Sequence, residues 1–275
     1  MVVNKSTLTN HAKNLSGLTI NDLNKYLPAI LTVEDIKMSR EKMAEGLYLT
    51  KCIDGLKQIP SNSIDLIIAD PPEDFSEDIF LGNDPMTLQD YYSWNIDWLK
   101  ESHRILKSTG AIYLLTNWYY SSMYHSLLNN YFNLQSRITW HDPNMNQKSK
   151  LQTWRNVVSD IWFATKSDDF QFKQEQVVTK TNHSTDDQEA LEPNLWTNIP
   201  RSIDDKYGKP VELFARILKA SSFKLNWILD PFMRIGSVGL ASKKYGRRFI
   251  GFETNKDKLL LAMKRIDQEK NDENI

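Results

Sequence analysis

Two acidic residues, Asp70 and Asp230, each follow a short apolar run, which is the pattern of a buried strand that ends in a polar side chain. Asp230 opens the stretch DPFMRIGSVGLASKKYGRRFIGFE, in which a turn with Gly236 leads into a helix-like segment and then a second apolar run, Arg248–Phe252. Glu253 closes that second run. Strand, glycine turn, helix, strand and terminal acid in this order predict a nucleoside-binding unit, in which the acid holds the ribose.

Three segments taken together resemble a known family. Residues 67–72, which read IIADPP, resemble the strand and Asp-Pro-Pro motif of DNA amino-methyltransferases. Residues 230–236, which read DPFMRIG, resemble their cofactor loop, and residues 209–213, KPVEL, resemble the start of the helix that precedes it. The Asp-Pro-Pro motif comes before the cofactor loop, which is the order of the β class. The resemblance covers roughly residues 47–267.

The resemblance implies a fold and a cofactor. The fold is α/β, the Rossmann-like fold of S-adenosylmethionine-dependent methyltransferases, with a mostly parallel sheet of about seven strands, one reversed edge strand and helices on both faces. The implied cofactor is S-adenosylmethionine, with no metal. We expect Asp70 and Asp230 at the carboxyl ends of neighbouring strands, where such sheets bind ligands. The residues expected to contact the cofactor are Lys209, Asp230, Phe232, Arg234, Gly236, Ser237 and Glu253.

The resemblance also assigns a catalytic loop, Asp70, Pro71, Pro72 and Glu73. The lone pair of an exocyclic amine is delocalised into the base. The Asp70 carboxylate and the Pro71 carbonyl can accept hydrogen bonds from both amine N–H groups and direct that lone pair towards a methyl donor. The two prolines stiffen the loop.

Several contact positions depart from the family pattern. Glu73 stands where the family has an aromatic residue that stacks on a flipped base. Arg234 replaces the first glycine of the cofactor loop, and Thr50-Lys51 replaces the Gly-Asp at the end of an earlier strand. If the Arg234 and Lys51 side chains enter the cofactor pocket, two positive charges lie near a sulfonium cation, and we expect weak binding of the cofactor.

Two functional hypotheses follow from these departures. The first is a catalytically impaired subunit of a DNA methyltransferase complex, acting in adenine-N6 methylation by binding DNA or an active partner. The alternative is an active DNA adenine-N6 or cytosine-N4 methyltransferase, as in restriction-modification. We expect a homodimer, or a heterodimer with a related active methyltransferase, because the chain offers many aromatic side chains for a surface: Trp94, Trp98, Tyr119, Tyr120 and Tyr124.

A polar loop, residues 141–155, is a candidate DNA contact. It carries Lys148, Lys150, Trp154 and Arg155, a mixture of cations and an aromatic that suits a nucleic-acid surface. An ordinary solvated loop has equal weight. Such a local patch is required, because the net charge of −1 does not indicate a nucleic-acid binder.

The chain divides into four segments. Residues 1–46 form an N-terminal extension with helices predicted over 18–30 and 32–45, interpreted as a packing cap, with a dimerisation or partner arm as the alternative. Residues 47–165 carry the catalytic motif, 166–204 form a short target-recognition-like insert, and 205–275 carry the cofactor motif. The single cysteine, Cys52, excludes an internal disulfide. No apolar run approaches the length of a membrane span, and we expect a cytoplasmic protein.

Overall fold

The computed structural model describes residues 17–72, 87–142, 154, 156–176, 178–180, 189–200 and 208–269. The helices within these ranges are α1 (Ile20–Tyr26), α2 (Cys52–Gln58), α3 (Leu88–Ile105), α4 (Trp118–Asn129), α5 (Val211–Ser221), α6 (Ser237–Lys244) and α7 (Lys256–Gln268). Short 3₁₀ turns occur at Leu27–Ala29, Val33–Asp35 and Gln174–Gln176.

The strands form a nine-stranded sheet in the order β1-β2-β11-β10-β3-β4-β6-β5-β9, and a separate β7-β8 hairpin. They are β1 (Leu31–Thr32), β2 (Gly46–Leu49), β3 (Ile64–Ala69), β4 (Leu106–Thr116), β5 (Asn133–His141), β6 (Val158–Thr165), β7 (Val178–Lys180), β8 (Glu189–Leu191), β9 (Leu195–Trp196), β10 (Trp227–Asp230) and β11 (Arg248–Glu253). The expected sheet of about seven strands is confirmed in β2 to β6, β10 and β11, while two-residue strands extend both edges.

One strand, β6, runs against the others, since its pairings with β4 and β5 are antiparallel and the rest of the sheet is parallel. We expected the reversed strand at the edge, and this detail is wrong. The connection from β4 through α4 leaves room for one strand between β4 and β5, and β6 then returns into that gap. The reversed strand is therefore paired on both sides.

Helices cover both faces of the sheet, which explains why its central strands are continuously apolar. All six residues of β3 are buried. Helices α2, α3 and α4 pack on one face through residues such as Leu56, Leu99 and Leu127, and helices α5, α6 and α7 pack on the other. Among the described residues, helices therefore cover both faces, and the carboxyl ends of the strands are the expected ligand edge.

The aromatic face of α3 and α4 belongs mainly to this core. Trp98 and Tyr124 are fully buried, and Tyr120 is nearly so. Trp94 is half-buried against the same cluster, and Tyr119 alone of the five is exposed, at 65%. The expectation of a broad aromatic surface on these helices is therefore wrong, because α3 and α4 both turn most of these rings towards the core.

The N-terminal extension contains one of the two predicted helices. Helix α1 and the following 3₁₀ turn match the prediction over 18–30, but the helix predicted over 32–45 is wrong. Thr32 and Asp35 do form a capping box, with the Thr32 amide 2.7 Å from Oδ2 of Asp35. The helix does not continue, because Ile36 leaves the helical conformation and is buried.

At the amino end of the sheet, a buried carboxylate joins two neighbouring strands that are far apart in the sequence. Oδ2 of Asp65, on β3, accepts the backbone N–H of Trp227 at 2.8 Å, and its Oδ1 accepts from the Lys107 ammonium at 2.7 Å. Because Trp227 begins β10, this contact fixes where β10 starts beside β3. The register set here determines which residues meet at the opposite, carboxyl end.

Candidate active site

Three acidic residues lie in a row at the carboxyl end of the sheet. β10 pairs in parallel with β3 on one side and with β11 on the other, and these strands end at Asp230, at Ala69 just before Asp70, and at Glu253. The expectation that Asp70 and Asp230 follow neighbouring strands is confirmed. Parallel strands place their carboxyl-terminal residues at one edge, and this edge is where α/β sheets bind ligands.

An ion pair joins this row to the Lys-Pro segment. The Lys209 ammonium donates to Oδ1 of Asp70 at 2.5 Å, and both side chains are mostly buried. Pro210, the next residue, precedes the first turn of α5 and fixes the direction in which the helix leaves. Lys209 was expected at the cofactor, and its contact in the structure is with the catalytic-loop aspartate.

The Asp230 carboxyl is held in an environment that opposes its charge. It is buried, and Oδ1 accepts the backbone N–H of Phe232 at 3.0 Å. Burial raises the pKa of Asp230 well above its usual value, and the neighbouring carboxylates of Asp70 and Glu253 raise it further. The Phe232 amide opposes this shift only in part. A cation placed beside these three groups would be stabilised.

Glu253 is also buried, and its carboxylate is fixed by backbone groups. Oε1 accepts the N–H groups of Thr254 at 2.9 Å and of Asn255 at 2.8 Å. Burial raises the pKa of Glu253, while hydrogen bonds from the amides of Asn255, Thr254 and Arg234 lower it. The carboxylate is thus oriented before any ligand arrives.

The loop after β10 follows the glycine geometry of the family even where a glycine is missing. Gly236 has φ of 79°, and a Cβ there would lie 2.9 Å from the Ile266 side chain. Arg234 has φ of 53°, the left-handed conformation that glycine adopts most easily. Its backbone N–H bonds to Glu253 while its side chain is exposed. Arg234 therefore adopts the left-handed backbone that glycine favours, at a position where the family pattern has glycine.

The second unexpected cation, Lys51, lies beside Glu253. Leu49, at the end of β2, pairs with Glu253, and the Thr50 amide donates to the Glu253 carbonyl at 3.0 Å. Lys51 follows and precedes helix α2 with its side chain exposed. Both side chains are solvent-exposed, and weak cofactor binding through these two cations stays a prediction from the sequence.

The remaining cofactor-loop residues connect the site to the core. The Phe232 ring packs against Trp94 and Trp98 of α3, with ring centroids 5.6 Å and 5.2 Å apart. Ser237 is buried as the first residue of α6. Phe232 is therefore a packing contact between the loop and α3, a role that the motif alone does not indicate.

Tyr91 on α3 holds the loop that follows β3, a role that the sequence motifs do not indicate. The Tyr91 hydroxyl donates to the Pro72 carbonyl at 2.8 Å, and it lies 2.9 Å from the Tyr124 hydroxyl. Asn95, one turn further along α3, is fully buried. A polar residue on an otherwise aromatic helix face was the available signal that this face carries hydrogen bonds.

Some predicted residues cannot be placed. Glu73, Lys148, Lys150 and Arg155 lie outside the described residues. Trp154 is described, and its side chain is 95% exposed. Within the described ranges, no group of three or more His, Cys, Asp or Glu side chains could hold a metal ion, and no helix is long and apolar enough to cross a membrane.

The sheet order, the reversed β6 and the acidic row define the Rossmann-like fold of S-adenosylmethionine-dependent methyltransferases. The family described as DNA methylase matches residues 64–264. The type II methyltransferase M.HpaI of Haemophilus parainfluenzae is 30% identical over 83% of this chain and 76% of its own length. The DNA adenine methyltransferase YhdJ of Escherichia coli is 27% identical over 77% of this chain and 79% of its own length. The chain belongs to the N6/N4 DNA amino-methyltransferase family.

Solved structures agree with this fold. The cytosine-N4-specific PvuII DNA methyltransferase superposes with a TM-score of 0.68 at 18% identity, over 90% of each chain. The M1.HpyAVI–SAM complex superposes with a TM-score of 0.59 at 21% identity, over 80% of this chain and 98% of its own.

Proposed function

We propose that this protein is an S-adenosylmethionine-dependent DNA amino-methyltransferase that acts on adenine N6, as in restriction-modification. The observation that carries the proposal is the acidic row of Asp70, Asp230 and Glu253, with the Lys209 ammonium bound to the first of them. The adenine methyltransferase YhdJ and the type II enzyme M.HpaI are relatives of similar length and support the substrate class. We include a cytoplasmic location in this proposal.

The acidic row fits a cationic cofactor. Burial raises the pKa values of the Asp230 and Glu253 carboxyls. The charge of Glu253 raises the pKa of Asp230 further. S-adenosylmethionine carries a sulfonium and an ammonium, so its charge complements this end of the sheet. Glu253 is oriented to accept ribose hydroxyl groups. The Arg234 and Lys51 side chains are exposed, so solvent and salt screen their charges.

When bound, S-adenosylmethionine supplies the electrophilic methyl group, and the chain itself has three roles in the proposed chemistry. Asp70 and the Pro71 carbonyl accept the amine N–H groups of the extruded base, which draws the nitrogen lone pair out of conjugation. Lys209 fixes the Asp70 carboxylate through Oδ1, which leaves Oδ2 to face the amine. The Asp70 charge also stabilises the positive charge that develops on the amine nitrogen.

A second candidate is the catalytically impaired subunit that binds DNA or an active methyltransferase partner as a dimer. The observation that favours it is Glu73, a carboxylate at the position where the family carries a base-stacking aromatic. A carboxylate has no stacking face and repels DNA phosphates. In this case the partner supplies the base pocket and the chemistry.

The two candidates separate in one assay. The purified chain is incubated with DNA and methyl-labelled S-adenosylmethionine, and the labelled nucleoside is identified. We expect N6-methyladenine from the wild type and none from Asp70→Ala, with Asp97→Ala, an exposed position on α3, as the control. No product from the wild type alone, but product from Glu73→Phe or after addition of a related methyltransferase, would establish the impaired subunit instead.

A further inference from the structure

The geometry points to Tyr91 as a positioning residue for the methyl-transfer loop, acting through the Pro72 carbonyl. The effect of Tyr91 on catalysis rests on the proposed function. Tyr91 lies on α3, and its hydroxyl donates to the carbonyl directly after the Asp70-Pro71-Pro72 turn at 2.8 Å. It is buried, so the bond is not exchanged for one to bulk water.

Prolines make this loop depend on such an outside contact. Pro71 and Pro72 have no backbone N–H, so neither can hold the turn by donating a hydrogen bond. The Pro72 carbonyl is the acceptor by which α3 holds the peptide that follows them. Its orientation sets the position of the preceding Pro71 carbonyl, which the proposed mechanism uses to accept an amine N–H.

Tyr91 is itself fixed by a short buried network. Its hydroxyl lies 2.9 Å from the Tyr124 hydroxyl of α4, and the latter lies 3.0 Å from Oδ1 of Asn95. Nε1 of Trp98 donates to the same Asn95 oxygen at 2.8 Å, and Asn95 Nδ2 donates to the Tyr91 carbonyl at 2.8 Å. Two helices therefore converge on one hydroxyl that faces the loop.

The hydroxyl protons have different acceptors. The Pro72 carbonyl can only accept, and the Tyr91 hydroxyl donates to it. The Tyr124 hydroxyl donates to Asn95 Oδ1, which has a second lone pair for Trp98. Removal of the Tyr91 hydroxyl leaves the Tyr124–Asn95 bond in place, and the Pro72 carbonyl loses its bond to Tyr91. Removal of the Tyr124 hydroxyl leaves the Tyr91–Pro72 bond in place.

This asymmetry gives a test with matched variants. Tyr91→Phe and Tyr124→Phe each remove one hydroxyl from the same buried network and keep the ring. Tyr113→Phe is a second control, because the buried Tyr113 hydroxyl bonds to Ser221 on the other face of the sheet. For each variant we would measure the Tm, and the kcat and KM for methylation. Without cofactor or DNA, we would also measure hydrogen exchange of a peptide that spans Pro71 and Pro72, in which the flanking residues carry the exchangeable amides.

We expect Tyr91→Phe to lower kcat about tenfold, with the KM for the cofactor little changed, and to speed exchange in that peptide. Tyr124→Phe and Tyr113→Phe should lower the Tm to a similar extent while kcat and loop exchange stay near the wild type. Faster loop exchange in Tyr91→Phe alone supports the positioning role even if the wild type transfers no methyl group, a result that would overturn only the proposed function. Equal effects of Tyr91→Phe and Tyr124→Phe on kcat and exchange would overturn the inference.

Discussion

The Lys209 ammonium and the Asp70 carboxylate meet at 2.5 Å although the two residues stand 139 positions apart in the chain. One comes from the segment before the cofactor loop, and the other from the catalytic loop. The contact makes the orientation of the catalytic carboxylate dependent on the start of α5. Its loss should therefore change turnover more than it changes the fold.

We expect Lys209→Met to lower the free energy of unfolding by about 2 kcal/mol, because it leaves a mostly buried carboxylate without its partner. Methylation should fall by about tenfold or more, since Asp70 is no longer held. The Lys264–Asp22 pair provides the control: its side chains are 19% and 15% exposed, against 16% and 17% for Lys209 and Asp70. Lys264→Met should lower the Tm and leave turnover unchanged. Equal losses of turnover in both variants would show that Lys209 acts only through stability.

Asp230→Asn should stabilise the protein in a pH-dependent manner. The carboxyl pKa is raised from 3.8 in the folded chain, so ionisation is resisted there and free in the unfolded chain. The folded state therefore loses stability as pH rises above 3.8 until the folded pKa is passed, and asparagine removes that loss.

Thermal unfolding without ligand tests this prediction. The Tm difference between Asp230→Asn and the wild type should grow as pH rises above 3.8, the ordinary carboxyl pKa. Asp97→Asn, at an exposed carboxylate, should give no such trend. A Tm difference that shrinks as pH rises would contradict the assignment of Asp230 as a carboxyl whose charge is opposed.

Arg234→Gly should leave cofactor affinity within about threefold of the wild type, because the side chain is exposed and its backbone already follows the glycine path. It should raise the free energy of unfolding by about 0.5 kcal/mol, since relief of left-handed strain exceeds the added backbone entropy of glycine. Leu225, with φ of 68° and an exposed side chain away from the acidic row, is the control for stability.

Calorimetry with S-adenosylmethionine measures the affinity, and thermal unfolding of Arg234→Gly and Leu225→Gly measures the stability. Under the proposed function, micromolar binding by the wild type is expected. If Arg234→Gly bound the cofactor tenfold more tightly, the arginine charge would be opposing the ligand, and the impaired-subunit candidate would gain support.

Trp154→Ala should weaken DNA binding by about tenfold, because an exposed aromatic that stacks on a base contributes about 1–3 kcal/mol. The Tm should not change, since the side chain makes almost no buried contact. Phe223→Ala is the control: this partly exposed ring lies after α5, near the amino end of the sheet, against the Lys173 ammonium. Fluorescence anisotropy with a labelled duplex at fixed salt would measure both, and equal affinities of wild type and Trp154→Ala would exclude a stacking role.

Much of the site's frame could be predicted because its parts are local in sequence. The runs before Asp70, Asp230 and Glu253 are each a short apolar segment that ends in an acid, so strand ends and ligand edge follow from pattern alone. Arg234 could be identified as a departure from the family loop. Its left-handed backbone could not be predicted, because side-chain identity argues against it and only the closed turn enforces it.

Other features depend on contacts that no local pattern encodes. The Lys209–Asp70 pair and the Tyr91–Pro72 bond each join separate segments. The signal for a helix after Thr32 was genuine, since the capping box forms, but burial of Ile36 ends it after one turn. The aromatic residues of α3 looked available for a partner because periodicity gives one face of a helix and does not say what covers it.

The Asp65–Trp227 contact has a consequence for how the protein is made. It joins residues 162 positions apart, and β10 and β11 belong to the last quarter of the chain. Until that quarter leaves the ribosome, β3 has one hydrogen-bonding edge without its native neighbour, and the strand is apolar on both faces. Such an edge invites pairing with other chains. Folding of the central sheet therefore waits for β10, and until then its open edge makes the chain sensitive to concentration.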